Sequence, residues 1–273
     1  MNAIPIPTID YASIKTRQQA TWNEGDYGQV GVRLQIVGET LCEAADVHAG
    51  ERVLDVAAGN GDASLAAARR FAHVTSTDYV PALLDQGKRR AEADRLDIAF
   101  ETADAESLPY ADGTFDVALS TFGVMFAPHQ ERSAAELLRV VRSGGRIGLA
   151  SWTPEGFLGQ LFAIVGRFAP PPAGVRSPML WGSEPRIVEL FGPQATAIKA
   201  ERRIYNFRYA SADHWIDFFR AYYGPIVRAF DNLDDTGRRA FRSALSDLLA
   251  RHNRSSRGGL VVPGEYLEVV ITR

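Results

Sequence analysis

The stretch Val53-Leu54-Asp55-Val56-Ala57-Ala58-Gly59-Asn60-Gly61-Asp62-Ala63-Ser64-Leu65 limits the folds open to this chain more than any other feature. An apolar run ends in two glycines and then becomes an alanine-rich helical pattern. Val53, Leu54 and Val56 suit a strand buried on both faces, while Ala63, Leu65, Ala66, Ala67 and Ala68 carry helix formers into Arg69 and Arg70. Gly59 and Gly61 therefore fall at the carboxyl end of a strand. In an open parallel sheet ligands bind there, because backbone without side chains lets a ligand reach the strand end and the next helix's N-terminus.

A glycine pair alone fits nucleotide phosphate loops, dehydrogenase turns and plain structural turns equally well. The neighbours discriminate. No Gly-Lys-Ser/Thr follows, as a phosphate-binding loop requires. A dinucleotide site offers bare N–H groups to a pyrophosphate, yet Asp62 stands at the start of this helix. A carboxylate capping the helix repels a phosphate and suits a ligand with no phosphate, or a cationic one.

Asp55-Val56-Ala57-Ala58-Gly59-Asn60-Gly61 resembles the first motif of class I S-adenosylmethionine-dependent methyltransferases, nearest to the subgroup of ubiquinone and menaquinone biosynthesis enzymes (methyltransferase type 11). The resemblance continues through Asp78, through Ala103-Asp104-Ala105-Glu106-Ser107-Leu108-Pro109-Tyr110, and through Phe115-Asp116-Val117 to Ser120-Thr121-Phe122-Gly123, covering residues 50 to 152. It implies an α/β, Rossmann-like seven-stranded mostly parallel sheet with helices on both faces and an inserted helical cap. It also implies an enzyme that uses S-adenosylmethionine and releases S-adenosylhomocysteine. Carried onto this sequence, the cofactor-binding residues are Asp55, Ala57, Gly59, Asn60 and Gly61 in the first motif, then Asp78, Tyr79, Asp104, Ala105 and Thr121. Asp104 is expected near the adenine's exocyclic amine, with Ala105 lending a backbone N–H. The segment before the core folds over the cofactor in related enzymes, which adds Trp22. Ala57 stands where the family often has glycine, so a negative φ is expected there.

Spacing supports part of this independently. Val74-Thr75-Ser76-Thr77-Asp78 reads as a second strand ending in an acid 17 residues beyond Gly61, about the distance a ribose-binding carboxylate requires. The structural alternative is that Asp78 caps the helix containing Ala82, Leu83 and Leu84. Residues 98 to 104 form a third strand, Asp112-Gly113 a tight turn, and residues 115 to 122 a fourth strand. A helix over residues 131 to 141 ends at Ser143-Gly144-Gly145, and residues 146 to 152 form the fifth strand.

Three divisions follow: an N-terminal helical lid segment over residues 1 to 46, a cofactor-binding core over 47 to 152, and a part over 153 to 273 that completes the sheet with cap insertions near 153–192 and 211–255. Pro5 and Pro7 make residues 1 to 10 an extended arm, followed by a helix from 11 to 23. Trp22 and Tyr27 either close on a cation, which an aromatic face attracts, or pack that helix onto the domain. Residues 32 to 46 are amphipathic and carry Cys42 as a small buried hydrophobe. Beyond 153 the pattern predicts a helix over 156 to 169, a proline-rich linker to Pro178, a short helix over 185 to 191, a strand over 195 to 209, two helices around Gly224-Pro225 within 211 to 253, and a last strand over 266 to 271. His214, Trp215, Phe218, Phe219, Tyr222 and Tyr223 fall on two adjoining helix faces, a core seam or a wall for a flat ligand.

The acceptor class is narrowed by what is missing. The stretch Thr121-Phe122-Gly123-Val124-Met125-Phe126 lacks the Pro-Pro-aromatic motif that methylation of nucleobase amines looks to need, and Cys42, the one cysteine, lies far from a position suited to attack on a base. A net charge of -3 gives no electrostatic ground for nucleic acid or an anionic membrane surface. No nucleic acid partner is expected, and Met125 and Phe126 suggest an apolar wall for a small aromatic or lipophilic acceptor. In-line displacement at the sulfonium methyl needs positioning above all. His129 and His214 are the candidate catalytic bases if the acceptor must lose a proton, against the alternative that each is a surface or packing histidine. No metal site is expected, because no histidine pair has helical ligand spacing. The chain shows no leader pattern and no apolar run of ~18 residues, so a cytoplasmic protein without a membrane span is expected. Two other classes stay open: an NAD-dependent oxidoreductase, and a non-catalytic S-adenosylmethionine-binding module.

Overall fold

A computed structural model describes residues 9–273; the arm expected at residues 1 to 10 lies almost wholly outside the described residues. Seven strands form one sheet: β1 (Arg52–Val56), β2 (His73–Asp78), β3 (Ile98–Thr102), β4 (Phe115–Thr121), β5 (Val141–Trp152), β6 (Ala197–Tyr209) and β7 (Leu260–Thr272). Their order is β3-β2-β1-β4-β5-β7-β6, with β7 antiparallel to both neighbours and the rest parallel. The order reverses between β1 and β4. Crossovers leave in opposite directions from these two strands, so a crevice opens outside their carboxyl ends.

Three helices precede the sheet, α1 (Tyr11–Asn23), α2 (Tyr27–Gly31) and α3 (Gln35–Ala44); α4 (Asp62–Arg69), α5 (Pro81–Asp94) and α6 (Gln130–Val140) connect the parallel strands. Between β5 and β6 lie α7 (Phe157–Phe168) and α8 (Glu184–Phe191), and between β6 and β7 lie α9 (Ala212–Tyr222), α10 (Gly224–Asp231) and α11 (Asp235–His252). Central strands read as apolar runs because helices cover both faces. Val53, Leu54, Val117, Ala118, Leu119, Ile147 and Leu149 are fully buried.

Several boundaries differ from expectation, each for a local reason. The helix expected over residues 32 to 46 is the shorter α3, Gln35–Ala44, and a separate short helix, α2, ends just before it at Gly31. The turn expected at Ser143-Gly144-Gly145 is a bulge inside β5: Phe115 pairs with Val141, the next partner pair is Val117 with Arg146, and Gly144 takes a φ of 73°. Two helices expected within 211 to 253 are three, because Asp234 accepts a hydrogen bond from Gly237 N at 2.7 Å and caps α11 separately. The last strand starts at Leu260 instead of Tyr266, pairing with β6 along its whole length and with β5 only from Tyr266 onward. Pro263 is tolerated where β7 has a single neighbour.

Helices α3 and α4 approach most closely at Gly38, where an added Cβ would lie 2.8 Å from the backbone of Asp62. This contact sets the first helical layer directly behind the glycine loop. Gly38→Ala is expected to lower the unfolding free energy by about 1–3 kcal/mol through overpacking, read from the urea midpoint at unchanged m-value.

Candidate functional site

After β1 the backbone turns sharply, with φ of 52° at Ala57, 58° at Gly59 and 85° at Gly61. Ala57 was expected at negative φ and is not. Gly123, just past the end of the neighbouring strand β4, comes so close that a Cβ there would lie 2.1 Å from the Ala57 carbonyl oxygen, beside the left-handed turn. For alanine such a conformation costs about 1–2 kcal/mol. Gly61, not Asp62, is the N-cap of α4, and it makes no side-chain cap bond. Asp62 sits in the first turn and pairs with Arg90 at 2.7 Å, while the same Arg90 nitrogen donates to the Asn60 carbonyl at 2.7 Å.

Asp78 ends β2 with its carboxyl buried. One oxygen accepts from Gly59 N at 2.9 Å and the other from Val80 N at 2.8 Å, so it holds the glycine loop as well as the start of α5. Burial pushes its pKa up to about 6, against the pull of those N–H groups. Asp55, on the neighbouring strand β1, is fully buried, with Ser64 Oγ 2.6 Å from one of its oxygens and Ser64 Oγ in turn 2.8 Å from Ser76 Oγ. Its other oxygen has no partner among the described residues, and burial pushes its pKa up to about 7.

Helix α1 lies across the crevice. Lys15 reaches Asp104 at 2.5 Å and Glu106 at 3.0 Å, Gln19 donates to the Tyr79 carbonyl, and Gln18 Nε2 donates to the Phe126 carbonyl at 3.2 Å. Burial lowers the Lys15 pKa, but the bonds to Asp104 and Glu106 outweigh it and leave the group raised and cationic. Gln18 Oε1 is buried without a partner among the described residues. Trp22 stands edge-on to Tyr27, Phe126 and Tyr223 with centroids 5.6, 5.0 and 5.7 Å away.

These elements line a crevice whose empty space, open solvent included, is ≈ 860 Å³. Of the residues expected to contact cofactor, Trp22, Ala57, Gly59, Asn60, Asp78, Tyr79, Asp104, Ala105 and Thr121 all line it, whereas Asp55 and Gly61 do not. Asp55 instead ties β1 to α4 and β2 from behind. A second, small apolar cavity adjoins the first through Trp22, Tyr27, Leu34, Phe122 and Phe126, which line both. Its far wall is Val30, Trp152, Leu158, Phe207, Phe219 and Tyr223.

Neither candidate base lines either cavity. His129 stacks on Tyr11 at 4.5 Å and caps α6, its Nδ1 accepting from Arg132 N. His214 is exposed, with Nδ1 accepting from Ala210 N at 3.2 Å. Phe126 forms a wall as expected, while Met125 is core. Trp215 is fully buried and stacks on Phe219 at 4.0 Å; of the α9 aromatic group only Phe219 and the adjoining Tyr223 reach a cavity. Sequence reasoning missed Lys15, Gln18, Leu34 and the β6 contribution Phe207, because long-range packing alone brings them to the crevice. Among the described residues no group of three or more His, Cys, Asp or Glu side chains could hold a metal ion, and no helix is long and apolar enough to cross a membrane.

Residues 53–145 match the methyltransferase domain family. An uncharacterised protein of Mycobacterium tuberculosis is 39% identical over 233 residues, spanning 84% of this chain and 85% of that protein. A demethylmenaquinone methyltransferase of Deinococcus radiodurans is 37% identical over 121 residues, 43% of this chain and 50% of that enzyme. The solved structure of the YcgJ protein of Bacillus subtilis superposes with a TM-score of 0.60 at 19% identity, covering 86% of this chain and 97% of its own, a likeness of fold.

The raised pKa of Asp55 has a measurable consequence for stability. A carboxyl held at about 7 in the fold and about 3.8 when unfolded binds its proton more tightly when folded. Its contribution is therefore full below pH 3.8 and is lost as pH rises through about 7. Relative to Asp55→Asn, the unmutated protein is expected to lose on the order of a few kcal/mol between pH 4 and 7, read from urea unfolding at each pH. Parallel pH profiles for the two proteins would refute the assignment.

Proposed function

The chain belongs to the class I S-adenosylmethionine-dependent methyltransferases, and on that premise we propose that it methylates a small aromatic or lipophilic organic acceptor. The observation that carries the acceptor class is the apolar cavity joined to the glycine-loop cavity through Trp22, Tyr27, Leu34, Phe122 and Phe126. Its lining holds no carboxylate, amine, guanidinium or imidazole. A charged or strongly polar acceptor would lose its hydration there without compensation.

The residues around the larger cavity fit S-adenosylmethionine. Asp62, Asp78 and Asp104 make the lining acidic, Lys15 is already matched by Asp104 and Glu106, and Arg90 is held by Asp62, so no free cation awaits a phosphate. Buried, unpartnered Gln18 Oε1 is a spare acceptor beside the same lining. When bound, S-adenosylmethionine supplies an electrophilic methyl group on a positively charged sulfur. In this reading Asp78 takes the ribose hydroxyls, Asp104 and Ala105 face the adenine, and Ala57, Gly59 and Asn60 offer backbone at the loop. Thr121 and Tyr79 border the nucleoside, and Trp22 covers the site as part of a lid over residues 1 to 46. The part from 153 to 273 completes the sheet and supplies the acceptor wall.

Rate enhancement then rests on α1, α2 and the aromatic partition holding two reactants together and excluding water, an effect on the order of several kcal/mol. No histidine is assigned a proton-transfer role, since His129 and His214 stand apart from both cavities. The helix start that favours this reading also disfavours a nicotinamide dinucleotide, because the carboxylate of Asp62 lies on the cavity lining.

Calorimetric titration with S-adenosylmethionine and S-adenosylhomocysteine, with NAD as control, tests the cofactor assignment. Both are expected to bind and NAD to give no heat. Asp78→Ala is expected to weaken S-adenosylhomocysteine roughly tenfold to a hundredfold, the loss of charge-assisted hydrogen bonds. An unchanged dissociation constant would remove Asp78 from the site.

A further inference from the structure

The net charge of -3 is unevenly spread along the chain. Residues 248 to 264 hold Arg251, Arg254 and Arg257 and no acid, and residues 204 to 212 hold Arg208 and no acid. The fold brings these two stretches together. Arg208 on β6 pairs in register with Val261 of β7, and the Val261 carbonyl accepts from Arg254 N at 2.8 Å. Asn253 fixes the turn between α11 and β7. Its Oδ1 accepts from Ser255 N and Val261 N, both at 3.0 Å, its Nδ2 donates to the Gly259 carbonyl at 3.1 Å, and Gly258 and Gly259 take the positive φ that reverses the chain. Burial lowers the pKa of His252 in the same stretch, and the charges of Arg251 and Arg254 lower it further.

All four arginines are exposed, and among the described residues none of them pairs with a carboxylate. Acids on the adjoining elements are engaged elsewhere or stand apart. Glu155 and Glu265 pair with Arg202 at 3.8 and 2.8 Å, Asp213 pairs with Arg242 at 2.7 Å, and Asp247, one turn before Arg251 on α11, meets none of the four.

Position and surroundings decide between anionic partners. Tyr266 of β7 pairs with Trp152 at the end of β5, so residues 260 to 265 and the end of β6 project past the carboxyl ends of the parallel strands, where the crevice opens. Side chains alternate along β6, so Phe207 walls the smaller cavity while Arg208 faces outward. Ile204, 53% exposed, falls on the same side of the strand as Arg208. Cations beside an exposed aliphatic side chain suit a lipid surface, whose phosphates take the charge and whose acyl boundary takes the isoleucine. The phosphate backbone of a nucleic acid offers no such apolar layer.

We propose that Arg208, Arg251, Arg254 and Arg257 form a docking surface for an anionic lipid membrane, with Ile204 at its edge, and that docking turns the crevice end of the sheet toward the bilayer. Clusters of about four or more basic side chains bind anionic headgroups in this way. The catalytic meaning of the surface rests on the methyltransferase reading: a lipophilic acceptor partitions into a bilayer, and an enzyme held there meets it at raised local concentration.

The test is cosedimentation of the full chain with vesicles of phosphatidylcholine alone and of phosphatidylcholine with an equal part of phosphatidylglycerol. Partitioning onto the anionic vesicles is expected to be about tenfold to a thousandfold stronger at low salt, and to be largely lost near about 1 M salt, where the screening length is about 3 Å. The double variant Arg254→Glu, Arg257→Glu should bind them at least about tenfold more weakly, while Arg254→Lys, Arg257→Lys keeps the binding, because the surface reads charge and not the guanidinium fork. S-adenosylhomocysteine affinity is expected to be the same in all three proteins. Equal partitioning onto neutral and anionic vesicles, or undiminished binding by the charge-reversed variant, overturns the proposal. Release of the protein from anionic vesicles by duplex DNA at equal phosphate concentration assigns the patch to nucleic acid and overturns it as well. Vesicle binding by a protein that takes no S-adenosylhomocysteine sustains the docking surface and overturns the methyltransferase reading.

Discussion

The carboxylate of Asp78 is the constraint on which the rest of the site depends. It is buried, and each of its oxygens takes a backbone N–H from a different segment, Gly59 on the loop after β1 and Val80 before α5. The ends of β1 and β2 are thereby fixed to one another beside the point where the sheet order reverses. An acid in water would gain little from such bonds; at low dielectric they are stronger, and leaving either N–H unpaired would be costly. The left-handed turn at Ala57 is crowded on another side, where Gly123, just after β4, packs against the Ala57 carbonyl. Strain of this kind persists only where neighbours over-determine the backbone. Here the loop, β2 and β4 do so together.

Around that rigid loop, the covering parts come from opposite ends of the chain and are tied to each other. Gly25 and Tyr223 form a β-bridge, Asp26 N donates to the Tyr222 carbonyl at 3.3 Å, and Glu24 pairs with Arg228 at 2.5 Å. Gly224 approaches so closely that a Cβ would lie 1.9 Å from the Thr21 carbonyl oxygen. Helix α1 and the α9–α10 pair thus meet as one cover. The aromatic group of Trp22, Tyr27 and Tyr223, which borders the smaller cavity, is built from both.

Local signals in the sequence made the sheet and the glycine loop legible. Apolar strand runs, the loop glycines, the acid at the end of β2 and the Asp112-Gly113 turn are each set by neighbouring residues, and the structure has all of them. Errors arose where a distant segment decides the outcome. The φ of Ala57 is dictated by Gly123, the bulge in β5 by its register against β4, and the early start of β7 by pairing with β6. The same division holds for the site. Residues on the loop and strand ends were foreseeable, whereas Lys15, Gln18, Phe207 and Leu158 reach the cavities only through tertiary packing. Asp55 illustrates the converse: its place in the motif suggested ligand contact, yet its side chain bonds Ser64 behind the loop, and Ser64 in turn bonds Ser76.

Electrostatics divides the two cavities in a way that composition could not reveal. Acids line the larger one, and Arg90 and Lys15 answer them pairwise without leaving a spare cation, which suits a positively charged ligand and repels a phosphate. The smaller cavity carries no formal charge at all. A positive centre held at the boundary would feel the carboxylates on one side and aromatic faces on the other, both attractive to a cation. The boundary residues Trp22, Tyr27, Phe122 and Phe126 therefore separate a charged compartment from an uncharged one while leaving them in contact. A cation on one side of that boundary and an apolar group on the other would lie in contact.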